Sequence, residues 1–295
     1  MKNIVLAHMG GPSGKTELAL FLKNIFLDRE LMRLPAQAVS GRLLAALRFR
    51  RSRISYERTG WTPVKRLTDS LADKLNMKLN REGLSVRALY THIPPYIEEA
   101  PPDALIVPLY PQYSSALAGA IEKRLPGRKV VRSWHDRKDL TALLADRIKK
   151  SLPASDPERT ALMFIAHGLP ESLTKNKDPY IGQVGETYKA LAAHFPGYKN
   201  SLSYIGKAGP RKWSGPCAED LISGMKNVER ITAAYISFPL DNIEVLYGID
   251  IALKEKAAKH GIKDFVRAEL PNDSEEFAGI LEGIIRSRNE IRGND

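Results

Sequence analysis

Two residues in the second half of the chain have the types and settings for metal and proton chemistry. His167 ends the apolar run TALMFIAH and is followed at once by Gly168. A run of that length without polar alternation reads as a strand buried on both faces. His167 then falls at the strand's C-terminal edge, where open parallel sheets bind their ligands. A neutral imidazole there can hold a divalent metal or accept a proton near neutral pH; the plainer reading is a histidine that caps the sheet. Glu244 lies in ISFPLDNIEVLYGID, where a strand gives way to a helix. The Asp241-x-x-Glu244 spacing is also that of a capping box, a structural arrangement worth about 1 kcal/mol. The chemical reading points the Glu244 carboxylate at the same place as His167, and imidazole plus carboxylate makes a site for a borderline divalent metal.

A third group follows another apolar run, in LIVPLYPQYSS, where Tyr110, Gln112, Tyr113, Ser114 and Ser115 sit in a turn stiffened by two prolines. Phenols and hydroxyls at a strand end suit an aromatic ligand that carries carboxylates, and they equally suit ordinary turn chemistry. The N-terminal stretch NIVLAHMGGPSGKT raises the question of a phosphate-binding loop. With Gly14-Lys15-Thr16 as its tail, the G-x-x-x-x-G-K-[ST] pattern needs glycine at position 9, which is Met9. Gly10 and Gly11 come one and two places late, so the loop is a residue short and Gly14-Lys15-Thr16 is expected to begin a helix.

The elements that must position these residues recur in a regular order. NIVLAH, SVRALY, ALIVPLY and KVVRSW in the first half, and TALMFIAH, NSLSYIG, ITAAYISF and KDFVRAEL in the second, read as eight strands. Amphipathic stretches such as TDSLADKLNMKLNREG and DLTALLADRIKKSL read as crossover helices between them. The expected fold is α/β: two Rossmann-like domains, each with a four-stranded parallel sheet flanked by helices. The Pro- and Ser-containing stretch SLPASDPER marks the boundary near 151–159, giving domains 1–150 and 151–274. The halves rhyme, since Met9-Gly10-Gly11-Pro12 and His167-Gly168-Leu169-Pro170 both place x-G-x-P after a first strand, and the two turns are expected to face one active-site cleft.

Composition narrows the chemistry. The 295 residues carry 43% hydrophobic and 27% charged side chains, with no run near the roughly 18 apolar residues of a membrane span and no signal-peptide layout, which leads us to expect a cytoplasmic protein. One cysteine, Cys217, excludes sites built from several thiolates, so a metal must be held by nitrogen and oxygen. The net charge of +11 favours an anionic partner. Its basic residues concentrate in RLLAALRFRRSRISYERTGWTPVKR, where Arg42, Arg48, Arg50, Arg51, Arg53 and Arg58 interleave with Leu43, Leu47, Phe49, Ile54 and Trp61. That segment suits a membrane surface or a flat anionic ligand, or it is a solvated helix face.

Taken in order, these stretches resemble the ferrochelatases, which insert Fe2+ into a porphyrin. The resemblance runs nearly end to end, through Met9 to Pro12, Tyr56 with Gly60-Trp61-Thr62-Pro63, PLYPQYS at 108–114, AHGLPESL at 166–173, DPY at 178–180, Gly209-Pro210 with Trp213, and FPLDNIEVLY at 238–247. It implies that His167 and Glu244 are the catalytic and metal-binding pair. It further implies that Met9, Arg48, Arg53, Tyr56, Tyr110, Gln112, Tyr113, Ser114 and Trp213 contact the porphyrin, with a porphyrin lip at about 33–66 and a C-terminal helix, 275–295, returning to the first domain. The implied partners are porphyrin and ferrous iron, with no organic cofactor, no iron–sulfur cluster and no nucleic acid, peripheral contact with an anionic membrane, and a monomer or homodimer.

The chain also departs from the family pattern D-H-I-E-T-L-Y-E, with Asn242, Val245 and Gly248 at the second, fifth and eighth places. Y-Q-S-[RK]-V-G-P becomes Tyr204-Ile205-Gly206-Lys207-Ala208-Gly209-Pro210. Relatives that use coproporphyrin tend to carry tyrosine at the place of Met9, which inclines the expectation to protoporphyrin IX. A coproporphyrin III enzyme and a non-catalytic porphyrin- or haem-binding relative are the alternatives.

Overall fold

The computed structural model describes residues 2–154, 156–175, 177–207 and 212–290. Ser155, in the boundary stretch, and Gly209-Pro210, in the signature before Trp213, lie outside the described residues. The strands are β1 (Asn3–His8), β2 (Ser85–Tyr90), β3 (Leu105–Pro108), β4 (Lys129–Val130), β5 (Thr160–His167), β6 (Lys199–Ile205), β7 (Arg230–Tyr235) and β8 (Asp264–Arg267). The helices are α1 (Lys15–Leu27), α2 (Gln37–Arg58), α3 (Val64–Leu79), α4 (Ala118–Arg124), α5 (Lys138–Ser151), α6 (Glu171–Lys175), α7 (Tyr180–Ala192), α8 (Ala218–Gly224), α9 (Lys254–Lys259) and α10 (Glu275–Glu290), with a π-helical segment at Glu244–Leu253.

All strand pairs are parallel, in two four-stranded sheets ordered β2-β1-β3-β4 and β6-β5-β7-β8. Each half therefore places its first strand inside the sheet, as its unalternating apolar run demands. The chain divides into a unit of residues 1–134, 240–243 and 272–295 and a unit of residues 135–239 and 244–271. This differs from a boundary at 151–159: α5 belongs with the second unit, where it packs on α7 and β7.

In the first unit β1 is buried from Ile4 to His8. Helix α3 turns Val64, Leu67, Leu71, Leu75 and Leu79 inward, the three- and four-residue spacing of one helical face. Helix α1 begins at Lys15, with Gly14 at its N-cap position. Its Leu18, Leu22 and Phe26 pack against Ala45 and Tyr56 of α2. Gly41 is required in that pairing, since a Cβ there would sit 2.6 Å from the Phe26 carbonyl oxygen. Helix α10 returns to this unit, where Phe277 lies against Trp134 at 6.0 Å and Arg286 pairs with Glu82 at 2.7 Å.

In the second unit seven consecutive residues of β5, Thr160 to Ala166, are buried and the eighth, His167, emerges. Burial of that run, at about 1.5–3 kcal/mol for each large side chain, fixes where the histidine surfaces. Val245, Ile249 and Leu253 of the π-helical segment are buried in the same core as Met163, Ile165 and Tyr235. They seat the segment on the sheet with Glu244 as its first residue. π-helical turns are rare and often mark functional sites.

Candidate metal and proton-transfer site

His167 and Glu244 meet. Nδ1 of His167 lies 2.8 Å from Oε1 of Glu244, with the imidazole side chain 31% and the carboxylate 17% exposed. The capping-box alternative for Glu244 gives way to this pairing, because its carboxylate engages the ring across 77 residues of sequence. Burial disfavours the charged form of His167, yet the Glu244 charge and hydrogen bond outweigh it and hold the imidazole pKa above its usual 6.5. Burial likewise works against the Glu244 carboxylate; the His167 charge and hydrogen bond, with a further bond from Tyr235, hold its pKa below the usual range. Each group thus favours the charged form of the other, and a metal ion that uses the imidazole nitrogen competes with a proton there.

The surroundings hold the pair in place. The Tyr235 hydroxyl donates to Oε2 of Glu244. The backbone N–H of His167 donates to Oγ of Ser237 at 2.9 Å, and that oxygen lies 2.7 Å from the Tyr180 hydroxyl. Phe238 stacks obliquely beside the His167 ring, 6.0 Å between centroids. Gly206, just past β6 with φ +89°, closes the other side. A Cβ on it would sit 2.5 Å from Oε1 of Glu244 and 2.7 Å from Nδ1 of His167. Gly248, where the family pattern has an acid, is near Glu244 with room for a side chain, since its Cβ would meet Glu244 only at 3.9 Å. Among the described residues no three His, Cys, Asp or Glu side chains converge as a metal cage.

At the turn after β5 opens a cavity of about 580 Å³ lined by Gly168, Tyr204, Lys207, Trp213 and Cys217 among others, with His167 and Glu244 outside its lining. Trp213 reaches it because its loop binds the turn after β5: Ser214 N–H donates to the Leu169 carbonyl at 2.8 Å, and Glu171 N–H to the Lys212 carbonyl at 3.0 Å. Burial and the Glu219 carboxylate push the Cys217 thiol up, so it stands in the wall as a protonated group rather than a thiolate ligand.

The remaining expected residues belong to the first unit. Met9, half-buried, follows β1 and donates its N–H to the Tyr110 hydroxyl at 2.6 Å. Tyr110, Gln112 and Ser114 are buried to 2% exposure or less. The Ser114 carbonyl accepts the N–H groups of Leu117 and Gly119. Tyr113 is half-buried under the Arg132 guanidinium, 4.6 Å from its ring centroid. On α2, Tyr56 turns inward and stacks on Trp61 at 5.9 Å, Arg48 is half-buried, and Arg53 pairs with Glu57 at 2.6 Å.

The sequence also hid a contrast. His8 ends β1 as His167 ends β5, each after an alanine. His8 is 5% exposed, accepts the Gly10 N–H on Nδ1 at 3.0 Å, and has its pKa pressed down to about 3 by burial and then by His92. It is a neutral structural imidazole, and only the second of the two strand-end histidines has a carboxylate partner. Tyr235, Ser237 and Gly206 were not legible as site residues. The one signal for the first two was their spacing, since Tyr235 and Ser237 put hydroxyls on one face of the run ITAAYISF.

Comparison with known proteins bears on the family and the fold. The ferrochelatase family model matches residues 1–289. A ferrochelatase of Desulfotalea psychrophila is 30% identical over 96% of both chains, and one of Aquifex aeolicus is 30% identical over 97% of this chain and 99% of its own. The solved structure of CbiX, the terminal enzyme for biosynthesis of sirohaem in denitrifying bacteria, shares the fold at a TM-score of 0.57 and 14% identity, covering 97% of this chain and 99% of that one.

Proposed function

The chain belongs to the ferrochelatase family, metal-chelating lyases that insert iron into a porphyrin, and on that premise we propose that it makes haem from protoporphyrin IX and Fe2+, with His167 and Glu244 as the working pair. The observation that carries the reading is the 2.8 Å contact between those two side chains at the open end of β5. Insertion replaces two pyrrole N–H bonds with bonds to iron, so each Fe2+ that enters releases two protons. An imidazole nitrogen can bind the metal or take a proton, and a carboxylate can do the same, so the pair supplies both needs at one place. Two ligands also suit a metal that must leave, where resident structural sites close around it with four. In the second unit Trp213, in the wall of the cavity next to Gly168, offers an aromatic surface to the flat, largely apolar ring. In the first unit Met9, Tyr113, Arg48 and Arg53 keep exposed surface for a ligand, whereas Tyr56, Tyr110, Gln112 and Ser114 are buried.

Met9, apolar and beside the Tyr110 hydroxyl, favours the dicarboxylate ring over the tetracarboxylate coproporphyrin III. Anaerobic insertion assayed with both rings side by side is expected to show a kcat/KM at least roughly tenfold higher for protoporphyrin IX, the worth of about one hydrogen bond to a charged group. The reverse preference assigns the alternative substrate, and tight binding of both rings without insertion assigns a carrier.

The membrane contact we propose would use α2. Val39, Leu43, Leu47 and Ile54 are 69%, 60%, 69% and 53% exposed, and their spacing puts them on one helical face beside the exposed Arg42, Arg50, Arg51 and Arg58. An apolar stripe edged by arginines is repelled by its own copy and drawn to anionic lipid, at about 1 kcal/mol per arginine. No helix among the described residues is long and apolar enough to cross a membrane, and the contact proposed is a peripheral one. Co-sedimentation with phosphatidylglycerol vesicles and not with phosphatidylcholine is expected, weakened about tenfold or more by Leu43→Ser with Leu47→Ser. Equal binding to both vesicles, or none, contradicts it.

A further inference from the structure

The Tyr235 hydroxyl stands out among the buried groups of the second unit because a phenylalanine would fill its place. The residue is 2% exposed at the end of β7, paired in register with Ile165, two residues before His167 on β5. A hydroxyl at that depth is costly without a partner, and its partner is the oxygen of Glu244 that does not face His167. A carboxylate's terminal torsion is broad and settles into no sharp rotamer. With Oε1 bound to the imidazole and Oε2 to the phenol, that torsion is fixed from both sides. Two residues on, Ser237 holds the backbone N–H of His167 and is itself held by Tyr180. One edge of the sheet thus anchors both members of the pair, one by its side chain and the other by its main chain.

We infer that Tyr235 is a positioning residue for metal insertion, setting the plane of the Glu244 carboxylate so that metal and imidazole meet it in a single orientation. Partners of this kind, one bond behind a ligand, characteristically change turnover or metal affinity by about 10–100-fold when removed. The inference rests on the reading of His167 and Glu244 as the working pair, and the experiment separates the two.

Zn2+ insertion into protoporphyrin IX is measured for Tyr235→Phe, for Glu244→Gln, and for Tyr188→Phe. The last removes a hydroxyl from a half-buried tyrosine of the same unit whose ring packs on Phe164 at 5.3 Å. Tyr235→Phe is expected to lower kcat about 10-fold or more while leaving the KM for porphyrin within about twofold, at a melting temperature close to the parent protein's. Tyr188→Phe is expected to match the parent. An unchanged kcat in Tyr235→Phe beside an inactive Glu244→Gln overturns the inference and spares the pair. An active Glu244→Gln overturns the reading of the pair itself. If Tyr235→Phe unfolds, or raises KM and lowers kcat together, Tyr235 is a structural residue and the inference falls.

Discussion

Replacing His167 by alanine is expected to lower porphyrin metallation by roughly 10³-fold, within the span of general acid–base contributions, because on the proposed reading this side chain serves the metal, the proton or both. The variant also strands a carboxylate. Burial pushes the Glu244 pKa up and the His167 charge holds it down, so without the imidazole Glu244 shifts towards its neutral form and the remaining ligand weakens too. The pH dependence of the intact enzyme follows from the same pair. Imidazolium has no lone pair for iron, and the His167 pKa is raised above 6.5. The acid limb of kcat/KM for the metal is therefore expected above pH 6.5, with activity falling as the pH drops through it. Stability runs the other way: a raised pKa contributes stability that is full below about 6.5 and fades as the pH rises through the folded value. Measured on the parent and His167→Ala, the rate profile should lose its acid limb in the variant. Wild-type activity in His167→Ala contradicts the assignment.

The second large effect is expected at a residue with no functional group. Gly206→Ala puts a methyl where Oε1 of Glu244 and Nδ1 of His167 already stand, at 2.5 and 2.7 Å. Both neighbours are ends of side chains and can move, and moving either opens their 2.8 Å contact. A displacement near 1 Å at reacting groups costs about 10²-fold in rate, and the left-handed φ of +89° adds about 1–2 kcal/mol of strain for any residue with a Cβ. The expected result is a protein that still folds, melts a few degrees lower, and inserts metal roughly 10²-fold more slowly. Parent-like kinetics would mean that the pair has more freedom than this packing allows.

Much of this was legible in the sequence, for identifiable reasons. The inner strands β1, β3, β5 and β7 announced themselves because a strand buried on both faces must be apolar without alternation, and β5 stays buried over seven residues before ending on His167. The outer strands β2, β4, β6 and β8 keep exposed or half-buried positions and were legible from their short β-branched and apolar runs. The sheet order β2-β1-β3-β4 and β6-β5-β7-β8 was not legible; the rhyme between the halves marked only the turns after β1 and β5. The unit boundary was misplaced because SLPASDPER has the proline and serine of a linker, whereas the chain changes unit at Trp134-His135, a stretch without a turn signal. Helix α5 has the same apolar face whichever sheet it covers, and sequence alone does not choose between them. The π-helical start at Glu244 has no compositional mark that separates it from an α-helix. His8 and His167 are the sharpest case. Their local sequences are alike, and what distinguishes them is a carboxylate 77 residues away.

The direct test of the account is anaerobic incubation of the protein with Fe2+ and protoporphyrin IX, followed by the haem absorption spectrum and by proton release in weak buffer. The account predicts catalytic formation of haem with two protons released per iron inserted, and no more than background formation with His167→Ala. Porphyrin binding without metallation by the parent protein, or equal rates for the two proteins, would contradict it.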